Sequence, residues 1–513
     1  TTLGAATDRD GYYAILNVYP GAYDIRVSMM GYNPVKIEGV NVSVDLTTNV
    51  NYQMESTVLD LGEAVTVIAE RKLVRKDRTS TAASIGSDEI SNMPVEEFKQ
   101  ILELQAGIVT GTDGATHMRG GRASEVAYLI NGISVTDPFS GDIAIEVENT
   151  GIQEIQVVSG TFNAEYGQAM SGVVEVVTKE GGKNLSGQFS CYTGDYLSNH
   201  SETFLNINDF DPLGIYNFQA SLSGPIPFLG EKFSFFSTGR IYNTNGWLFG
   251  RRIFNPSDSS DFNSPDPEEW YIEKTGDNAI VPMNPYDKKT AQTKVTYRIS
   301  NKIKLNYEIL LNKIYYRGYN HSFKYNPDGD YHHYKNGYTH LLTWNHSLSS
   351  RTFYKAKFSN FFFDYQRYVH EDPYDSCYVD PQLLKGNFVT GGTQMEHFYR
   401  NTRTIVGKFD LTSQINRVHQ VKTGIEARKH KLWLHEYEIK LDRSTDWKPE
   451  IPPDTIGVVR NNKYTHCPLE LSFYLQDKME FNDMIVNAGI RYDYFVPDGN
   501  IPVKEYYYTT PEG

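Results

Sequence analysis

The chain has 513 residues, a formal net charge of -14 and a mean hydropathy of -0.48. Its length allows several domains, and its acidic balance argues against nucleic acid or anionic lipid as the main partner. No apolar run reaches the ~18 residues of a membrane-spanning helix. Membrane β-strands remain compatible with these values, because their polar lumen face lowers any average hydropathy.

Residues 1–56 alternate short strand patterns with turns. The motif TDRDGYY (7–13) precedes VYPGAYDIRV (18–27) and MGY (30–32). This order resembles the carboxypeptidase-regulatory-like β-sandwich without its opening strand, so we expect an incomplete sandwich and a chain truncated at its N-terminus. The segment 8–11 lacks the glutamate that a calcium loop needs, and a turn explains its Asp and Gly residues.

Residues 57–78 are predicted to be a linker with one strand-length run, which is followed by a charged tail (70–78). β-Branched residues dominate the run, so it favours an extended conformation. From composition alone, an ordinary linker strand explains it. The residues of this run that we select are Glu63, Val65, Thr66, Val67, Ile68 and Ala69.

Residues 79–182 carry glycine-punctuated motifs: MRGGR (118–122), VAYLINGISV (126–135), IQEIQVVSG (152–160), AEYG (164–167) and SGVVEVVTK (171–179). Their apolar runs are short, rich in β-branched residues and end at Gly or Asn, so they predict buried strands. Asn131-Gly132 predicts a tight turn, since both residues tolerate positive φ. Before these motifs, one amphipathic helix is predicted, with Pro94 in its first turn and Phe98, Ile101 and Leu102 on one face.

These motifs resemble the plug domain of TonB-dependent outer-membrane receptors of the Oar-like or SusC-like kind. A soluble α/β domain is the alternative, and an RGG-type nucleic-acid motif lacks the basic field that it would need. The resemblance implies an α/β plug inside a β-barrel. The plug positions that match the family pattern are Arg119, Gly120, Arg122, Asn131, Gly132, Tyr166, Gly167, Gly172, Thr178 and Lys179.

The resemblance also implies roles for particular residues. The run 63–69 lies where this family carries its TonB box, a segment that adds as a strand to the energy-transducing partner. Plug arginines of the family pair with barrel-wall carboxylates, so Arg119 and Arg122 are expected to be held by such groups. The candidates on the predicted lumen face are Glu308, Glu426 and Glu470, unless the partners lie in strands beyond this sequence.

Residues 183–513 read as long strands whose side chains alternate between apolar and polar. In one such strand Ile303, Leu305 and Tyr307 oppose Lys304 and Asn306. A soluble sandwich also alternates, but its strands are usually shorter. Runs of ~10 residues fit tilted membrane strands better.

The connections support a membrane barrel. Short turns are predicted near 299–302, 348–351, 415–419 and 481–484, and long polar loops near 243–289, 317–337, 367–401 and 435–468. Short turns on one side and long loops on the other are typical of outer-membrane barrels. About eleven strands are predicted, whereas plugged transporters close at roughly 22. We therefore expect the first half of a barrel, truncated near Gly513.

No catalytic motif is recognisable, so neither an enzyme nor a cofactor is predicted. His332-His333 beside Asp328 and Asp330 could bind a metal, but a solvated loop patch is the simpler interpretation, and no metal is predicted. The cysteines Cys191, Cys377 and Cys467 lack metal or redox spacing. A pair between Cys377 and Cys467 is possible by position, but three free thiols are the simpler expectation.

The predicted fold class is mainly β: a partial N-terminal β-sandwich, a small α/β plug and an antiparallel transmembrane β-barrel. By resemblance, the protein imports a glycan, peptide or metal chelate across the outer membrane, with the N-terminal domain and plug accessible from the periplasm. The implied partners are TonB with ExbB and ExbD, outer-membrane lipid and the small ligand, with a surface lipoprotein as a further candidate. A plugged barrel for secretion, signalling or adhesion is the alternative.

Overall fold

A computed structural model describes residues 3–44, 46–56, 65–68, 81–111, 114–383, 388–442, 446–454, 460–481 and 484–499. β-Strands dominate these residues, as the alternating patterns predict, and the α-helices are α1 (Ser87–Ser91) and α2 (Phe98–Glu103). No helix in these ranges is long and apolar enough to span a membrane.

The N-terminal part is a three-stranded sheet of β1 (Gly21–Val27), β2 (Val35–Val42) and β3 (Val65–Ile68). β1 and β2 are antiparallel, and β3 runs parallel to β2. Val35, Ile37 and Val40 of β2 are buried and form a small core. The sheet therefore includes residues 65–68, which the sequence predicts as part of the linker.

The plug contains a five-stranded mixed sheet with the order β4-β9-β10-β7-β8. β10 lies at its centre, parallel to β7 and antiparallel to β9, and every residue of β10 is buried. This explains its two pairs of adjacent valines, Val173-Val174 and Val176-Val177. The strands of this region are β4 (Thr81–Gly86), β5 (Ile108–Thr110), β6 (Thr116–Met118), β7 (Val126–Ile130), β8 (Ile133–Ser134), β9 (Ile152–Ser159) and β10 (Gly172–Thr178).

Helix α2 covers the plug sheet with the three residues predicted to share a face. Phe98, Ile101 and Leu102 are at most 2% exposed and belong to the plug core. The helix begins later than predicted, after Glu97, which forms a capping box with Gln100. Pro94 consequently lies outside it.

The third part is a twelve-stranded antiparallel sheet. Eleven strands follow one another in the order β11-β12-β13-β18-β19-β20-β21-β24-β25-β29-β30. The twelfth strand, β28, pairs with the C-terminal part of β25. In the described residues the two outermost strands do not pair, as expected for a partial barrel. The strands of this region are β11 (Ser186–Gly194), β12 (Ile215–Pro225), β13 (Phe233–Thr244), β14 (Phe249–Arg251), β15 (Ser260–Asp261), β16 (Tyr271–Ile272), β17 (Ile280–Pro282), β18 (Tyr286–Arg298), β19 (Ile303–Tyr316), β20 (His332–Ser347), β21 (Thr352–Tyr368), β22 (Gln382–Leu383), β23 (Val389–Gly391), β24 (Glu396–Gln414), β25 (His419–Glu438), β26 (Lys440–Leu441), β27 (Pro449–Glu450), β28 (Asn461–His466), β29 (Leu469–Glu480) and β30 (Ile485–Val496).

The predicted alternation of side chains is confirmed along the barrel strands. On β19, Glu308 and Leu310 are 1% exposed, whereas Tyr307 and Leu311 are 42% and 44% exposed. The buried residues face the plug, and the exposed ones face outward. The sheet thus separates a polar interior from an apolar outer surface, as a membrane barrel does.

The four predicted turns are confirmed as the connections 299–302, 348–351, 415–418 and 481–484. The long connections are 195–214, 245–285, 317–331, 369–395 and 439–468, on the opposite end of the sheet. The first of these was not predicted. Several strands also extend into the predicted loops, because long hairpins continue beyond the apolar band. His332 and His333, predicted to lie in a loop, begin β20 instead.

Candidate functional site

The plug meets the barrel wall at the Asn131-Gly132 turn. Both residues have positive φ, 50° and 75°, as predicted for a tight turn. Asn131 Nδ2 donates to Glu308 Oε2 at 2.7 Å, and Lys408 Nζ donates to the Gly132 carbonyl oxygen at 3.3 Å. A Cβ on Gly132 would lie 2.5 Å from Lys357 Nζ. The glycine therefore provides both the backbone conformation and the space for two barrel lysines.

Thr178 ends the plug sheet and is fully buried. Its Oγ1 accepts hydrogen bonds from Asn131 Nδ2 and from Lys294 Nζ, each at 2.9 Å. Its carbonyl oxygen accepts from Lys294 Nζ at 3.2 Å and from the hydroxyl of Tyr19 in the N-terminal domain. Burial lowers the pKa of the neighbouring Lys179. Thr178 thus joins the N-terminal domain, the plug and the barrel.

The Arg119-Gly120 turn has positive φ at both residues, 47° and 79°. Arg122 precedes a 3₁₀ turn, and its backbone N–H donates to Glu125 Oε2 at 3.1 Å. Among the described residues, neither Arg119 nor Arg122 forms an ion pair with a barrel carboxylate. The glycines of this motif serve a local turn within the plug.

The three carboxylates proposed as partners of these arginines face the interior, as predicted, but lie beside barrel cations. Glu308 Oε2 is 3.7 Å from Lys294 Nζ. Arg428 pairs with Glu426 and lies 3.6 Å from Glu470. The pairing with Arg119 and Arg122 that the resemblance implied is not formed within the described residues.

The AEYG motif faces the far strands of the sheet. Glu165 forms an ion pair with Lys422, and its carbonyl oxygen accepts from Arg491 Nη1 at 3.0 Å. Tyr166 OH donates to Glu175 Oε2 at 3.2 Å. A Cβ on Gly167 would lie within 2.6 Å of the Arg491 guanidinium, so this glycine admits a barrel arginine.

A Cβ on Gly172 would clash with the neighbouring Met118, 2.0 Å from its sulfur. Gly172 therefore belongs to the internal packing of the plug. Gly167 thus makes room for a side chain of the barrel, whereas Gly172 makes room for a side chain of the plug itself.

A second set of contacts has the opposite polarity, with acids on the plug and cations on the barrel. Arg240 on β13 and Lys288 on β18 are 1% and 2% exposed in their side chains. Both point into a group of four glutamates that we call the carboxylate cluster. Its members are Glu96, Glu97, Glu146 and Glu148.

The two barrel cations share these acids. Arg240 lies 2.8 Å from Glu96, 3.2 Å from Glu97 and 3.4 Å from Glu148. Lys288 lies 2.8 Å from Glu97 and 3.3 Å from Glu148. Removing one partner of such a buried ion pair destabilises the folded protein by several kcal/mol, because the remaining charge stays buried without a partner.

Four acids face two cations in this group, so the acids outnumber the cations by two. Burial raises the pKa of Glu97; Glu146 and Glu148 add to the rise, while Lys288 opposes it. In Glu146, burial acts in the same direction, but Lys288 outweighs it and lowers the pKa. On acidification Glu97 therefore takes up a proton before Glu146 does.

Sequence reasoning missed this cluster, although a signal was present. The even-numbered residues of β18 from Lys288 to Thr296, which include Lys294, are all polar, as is typical of a lumen-facing side. The plug acids gave no such signal. Glu96 and Glu97 precede a helix, where acids are common at exposed termini, so nothing in the pattern distinguishes them as buried partners.

Apolar packing also joins the plug to the barrel. Leu310, Phe361 and Phe363 of the wall belong to the same buried cluster as the plug core. Gly337 faces Ile145, whose Cγ1 would lie 3.2 Å from an added Cβ. The plug is thus held by a dry contact in one part and by polar contacts elsewhere.

The N-terminal domain contacts the short-turn end of the barrel. Arg417 in the turn 415–418 forms ion pairs with Asp8, at 2.7 Å, and with Asp10. The ring of Tyr19 lies 4.9 Å from Lys304 Nζ, which in turn pairs with Glu180 at 2.9 Å. These contacts fix the domain beside the joint between plug and barrel.

The TonB-box-like run is partly described. Val65–Ile68 form β3, the edge strand of the N-terminal sheet, with Val35 paired to Val65 and Glu38 to Ile68. Its other edge pairs with no described strand. Glu63 and Ala69 lie outside the described residues.

The described residues contain no group of three His, Cys, Asp or Glu side chains that could hold a metal ion. His332 and His333 cannot chelate together, since they point to opposite faces: His332 Nδ1 lies 2.8 Å from Tyr315 OH, and His333 Nδ1 lies 2.8 Å from Tyr365 OH. The three cysteines are free thiols.

The chain matches three family models in the order seen in the fold. The CarboxypepD_reg-like domain model matches residues 1–66, the TonB-dependent Receptor Plug Domain model residues 74–174, and the TonB dependent receptor-like beta-barrel model residues 284–500. Among curated proteins, the chain is similar to the TonB-dependent transporter Oar of Myxococcus xanthus, with 24% identity over 249 residues, 45% of this chain and 23% of Oar.

Two solved structures share the fold. The outer membrane transporter YddB from Escherichia coli has a TM-score of 0.57 at 14% identity, covering 81% of this chain and 56% of YddB. The ferric citrate transporter FecA in the unliganded form has a TM-score of 0.58 at 12% identity, covering 82% of this chain and 56% of FecA. The chain thus spans 23% of Oar and 56% of each of these structures.

Proposed function

The chain belongs to the TonB-dependent receptors, and we propose that it is part of an outer-membrane transporter that imports a scarce small ligand. The ligand would be a glycan, a peptide or a metal chelate. The family consists of transporters and receptors rather than enzymes. FecA, a ferric citrate transporter by name, supports import as the direction of transport.

The observation that carries the proposal is a folded plug inside a wall that holds it through many hydrogen bonds and ion pairs, with apolar contact confined to part of the interface. Hydrogen bonds and ion pairs such as Lys408 to Gly132 and Arg240 to Glu148 can be exchanged for water when the plug shifts. A continuous apolar interface would resist such a shift, because moving it would expose apolar area to water at ~25 cal/mol per Å².

We propose that movement begins at the run 63–69, which residues 70–78 connect to the plug. TonB would add a strand to the open edge of β3 or replace its pairing with β2, and ExbB and ExbD would supply the force. In this arrangement the N-terminal domain and the short turns face the periplasm, and the long loops face outward to the ligand.

The proposal is tested by blocking strand addition without removing the segment. In Val67→Pro the backbone loses an N–H and cannot donate within a strand, whereas the matched control Val67→Ala keeps it. We expect Val67→Pro, like deletion of residues 63–69, to abolish growth on a panel of limiting glycans, peptides and ferric chelates. The amount of folded protein in the outer membrane should be unchanged. Growth equal to that of Val67→Ala would overturn the proposal.

A further inference from the structure

Three cations project from the outer face of the barrel sheet on β24 and β25. Arg403 lies directly opposite Lys431 in the strand register, and Lys429 lies opposite Ile405. All three side chains belong to exposed residues. We call Arg403, Lys429 and Lys431 the outer cation cluster.

The outward direction follows from the neighbours of these residues. Thr402 Oγ1 lies 3.4 Å from Asp137 Oδ1 of the plug, so the even-numbered side chains of β24 face the lumen. Successive side chains of a strand alternate, so Arg403 faces outward. On the same outer surface, Ile405 and Ile425 are 41% and 56% exposed, as lipid-facing residues are.

The height of the cluster can be estimated from the strand. Lys429 and Lys431 follow His419, the first residue of β25, by ten and twelve positions. At about 3.3 Å per residue and a tilt of about 40°, they lie roughly 25 to 30 Å above the short-turn end. The apolar band of such barrels is about 25 Å tall, so the cations lie at its far boundary. Trp433, the next outward residue of β25, is an aromatic side chain typical of that level.

Within the part of the chain that the structure describes, the cluster forms no ion pair with a carboxylate. Arg403 Nε donates to Asn360 Oδ1 at 3.2 Å, and no ion pair with these three cations is formed among the described residues. The outward acid Asp364 lies opposite Asn401, two positions from Arg403, and accepts a hydrogen bond from Gln366 Nε2 at 2.9 Å. The chain as a whole carries a charge of -14, so three unpaired cations at the edge of the apolar band are a local exception.

We propose that the outer cation cluster binds the phosphate groups of a lipid headgroup in the outer leaflet of the membrane. Phosphate is the anion present at that depth, and a guanidinium offers it a two-pronged hydrogen bond while ammonium groups contribute charge. Lysine stems can lie along the apolar surface and raise their charged ends to the headgroup level. The net charge argues against anionic lipid as the main partner of the whole chain, but binding here is decided by the local field.

This inference rests on the proposed orientation, in which the long loops face the outer leaflet. Its test is independent of transport, because lipid binding is measured on the purified protein in neutral detergent. Bis-phosphorylated lipid A is titrated and followed by native mass spectrometry. Dephosphorylated lipid A and inorganic phosphate are titrated in parallel, to separate the headgroup from its lipid and from free phosphate.

The test variant is the triple substitution Arg403→Gln, Lys429→Gln and Lys431→Gln. The matched control removes the same charge from the short-turn end, through Lys232→Gln, Lys302→Gln and Arg351→Gln, all exposed residues. We expect affinity for bis-phosphorylated lipid A to fall at least about tenfold in the test variant and less than about twofold in the control. Arg403→Lys should retain most of the binding.

Equal affinity of the test variant and the parent protein would overturn the inference, provided that both give the same far-ultraviolet circular dichroism. Equal binding of dephosphorylated lipid A, or tight binding of inorganic phosphate alone, would also overturn it. If the triple variant loses lipid binding but still transports, the inference is supported and the proposed function is unaffected. Val67→Pro should lose transport and still bind lipid A like the parent protein.

Discussion

Arg240 of the barrel wall lies 3.4 Å from Glu148 of the plug, Nη1 to Oε2, with side chains that are 1% and 4% exposed. Each charge is withdrawn from water and depends on the other. In such a pair the loss of one partner costs more than the pair contributes, because the remaining ion is desolvated without compensation. The pair therefore holds the plug in one position more than it stabilises the fold.

The first prediction concerns Lys288, whose neighbour Lys289 provides a matched control. Lys288 is buried against the carboxylate cluster, whereas Lys289 faces outward with a 54% exposed side chain and pairs with Asp287. Lys288→Gln should weaken plug docking by about 3–5 kcal/mol and raise single-channel conductance in planar bilayers. Lys289→Gln should change stability by no more than about 1 kcal/mol. Equal conductance in the two variants would contradict the role assigned to the cluster.

The second prediction tests the coupling across the same interface. Arg240→Gln and Glu148→Gln should each destabilise the plug, and the double variant should be less destabilised than the sum of the two. The coupling free energy should exceed about 1 kcal/mol, as expected for residues of one buried network. It is measured from the urea concentration at which the plug becomes sensitive to protease. Additive effects would show that the two residues do not act as a pair.

The third prediction concerns the turn that touches the barrel. Gly132→Ala places a side chain at φ 75° and 2.5 Å from Lys357 Nζ, so it should destabilise the plug by roughly 1–2 kcal/mol. Gly407→Ala is the control, because its Cβ meets nothing within 4 Å and its φ is not positive. Thermal unfolding of both variants provides the comparison. A similar midpoint in both would mean that the lysines move aside and that the turn tolerates the strain.

The fourth prediction concerns pH. Burial would raise the pKa of Glu180, but Lys304 and Lys294 outweigh it and lower the pKa below its ordinary value of 4.5. A carboxyl with a lowered pKa in the folded state stabilises that state above its unfolded pKa. The stabilisation should therefore be complete above about pH 4.5 and be lost as the pH falls through the lowered value.

Hydrogen exchange at residues 176–186 measures this effect. Protection there should decrease on acidification in the parent protein and depend less on pH in Glu180→Gln. The control is Glu202→Gln, since the side chain of Glu202 is 71% exposed. A parent-like pH profile in Glu180→Gln would assign the acid sensitivity to another group.

The fifth prediction separates the two contributions of Tyr19. Tyr19→Phe removes the hydroxyl that donates to Thr178 but keeps the ring beside Lys304, whereas Tyr19→Ala removes both. Tyr19→Ala should release the N-terminal domain from the barrel, with faster hydrogen exchange in Gly21–Val27, and Tyr19→Phe should have an intermediate effect. Tyr32→Ala, on an exposed part of the same domain, should leave exchange unchanged. Equal exchange in all three variants would exclude Tyr19 as an anchor.

Local patterns predicted the elements well, because strands and turns depend on neighbouring residues. The alternation on β19, the turn at Asn131 and the connection 415–418 all follow from such patterns. The partners across the plug–barrel interface did not follow, because Arg240 and Glu148 are 92 positions apart and no pattern links them. For the same reason, no pattern in the sequence shows which carboxylates lie beside Arg119.

The position of β3 also escaped prediction. The composition of Val65 to Ile68 favours an extended strand, but composition does not select between a free strand and one paired to β2. That choice depends on Val35 to Glu38, about thirty residues earlier, whose unpaired edge accepts β3 in parallel. Long-range pairing of this kind has no signature within a single segment.

Lys288 and Lys289 are adjacent in the chain, yet one is enclosed by acids and the other points to the outside. Inserting or deleting one residue within β18 would exchange the two faces from that point onward. A one-residue insertion before Asp287 would turn Lys288 towards the lipid and place the Asp287 carboxylate towards the four glutamates. Changes in the length of this hairpin should consequently be confined to the connection 245–285, and within the strand itself only pairs of residues should be gained or lost.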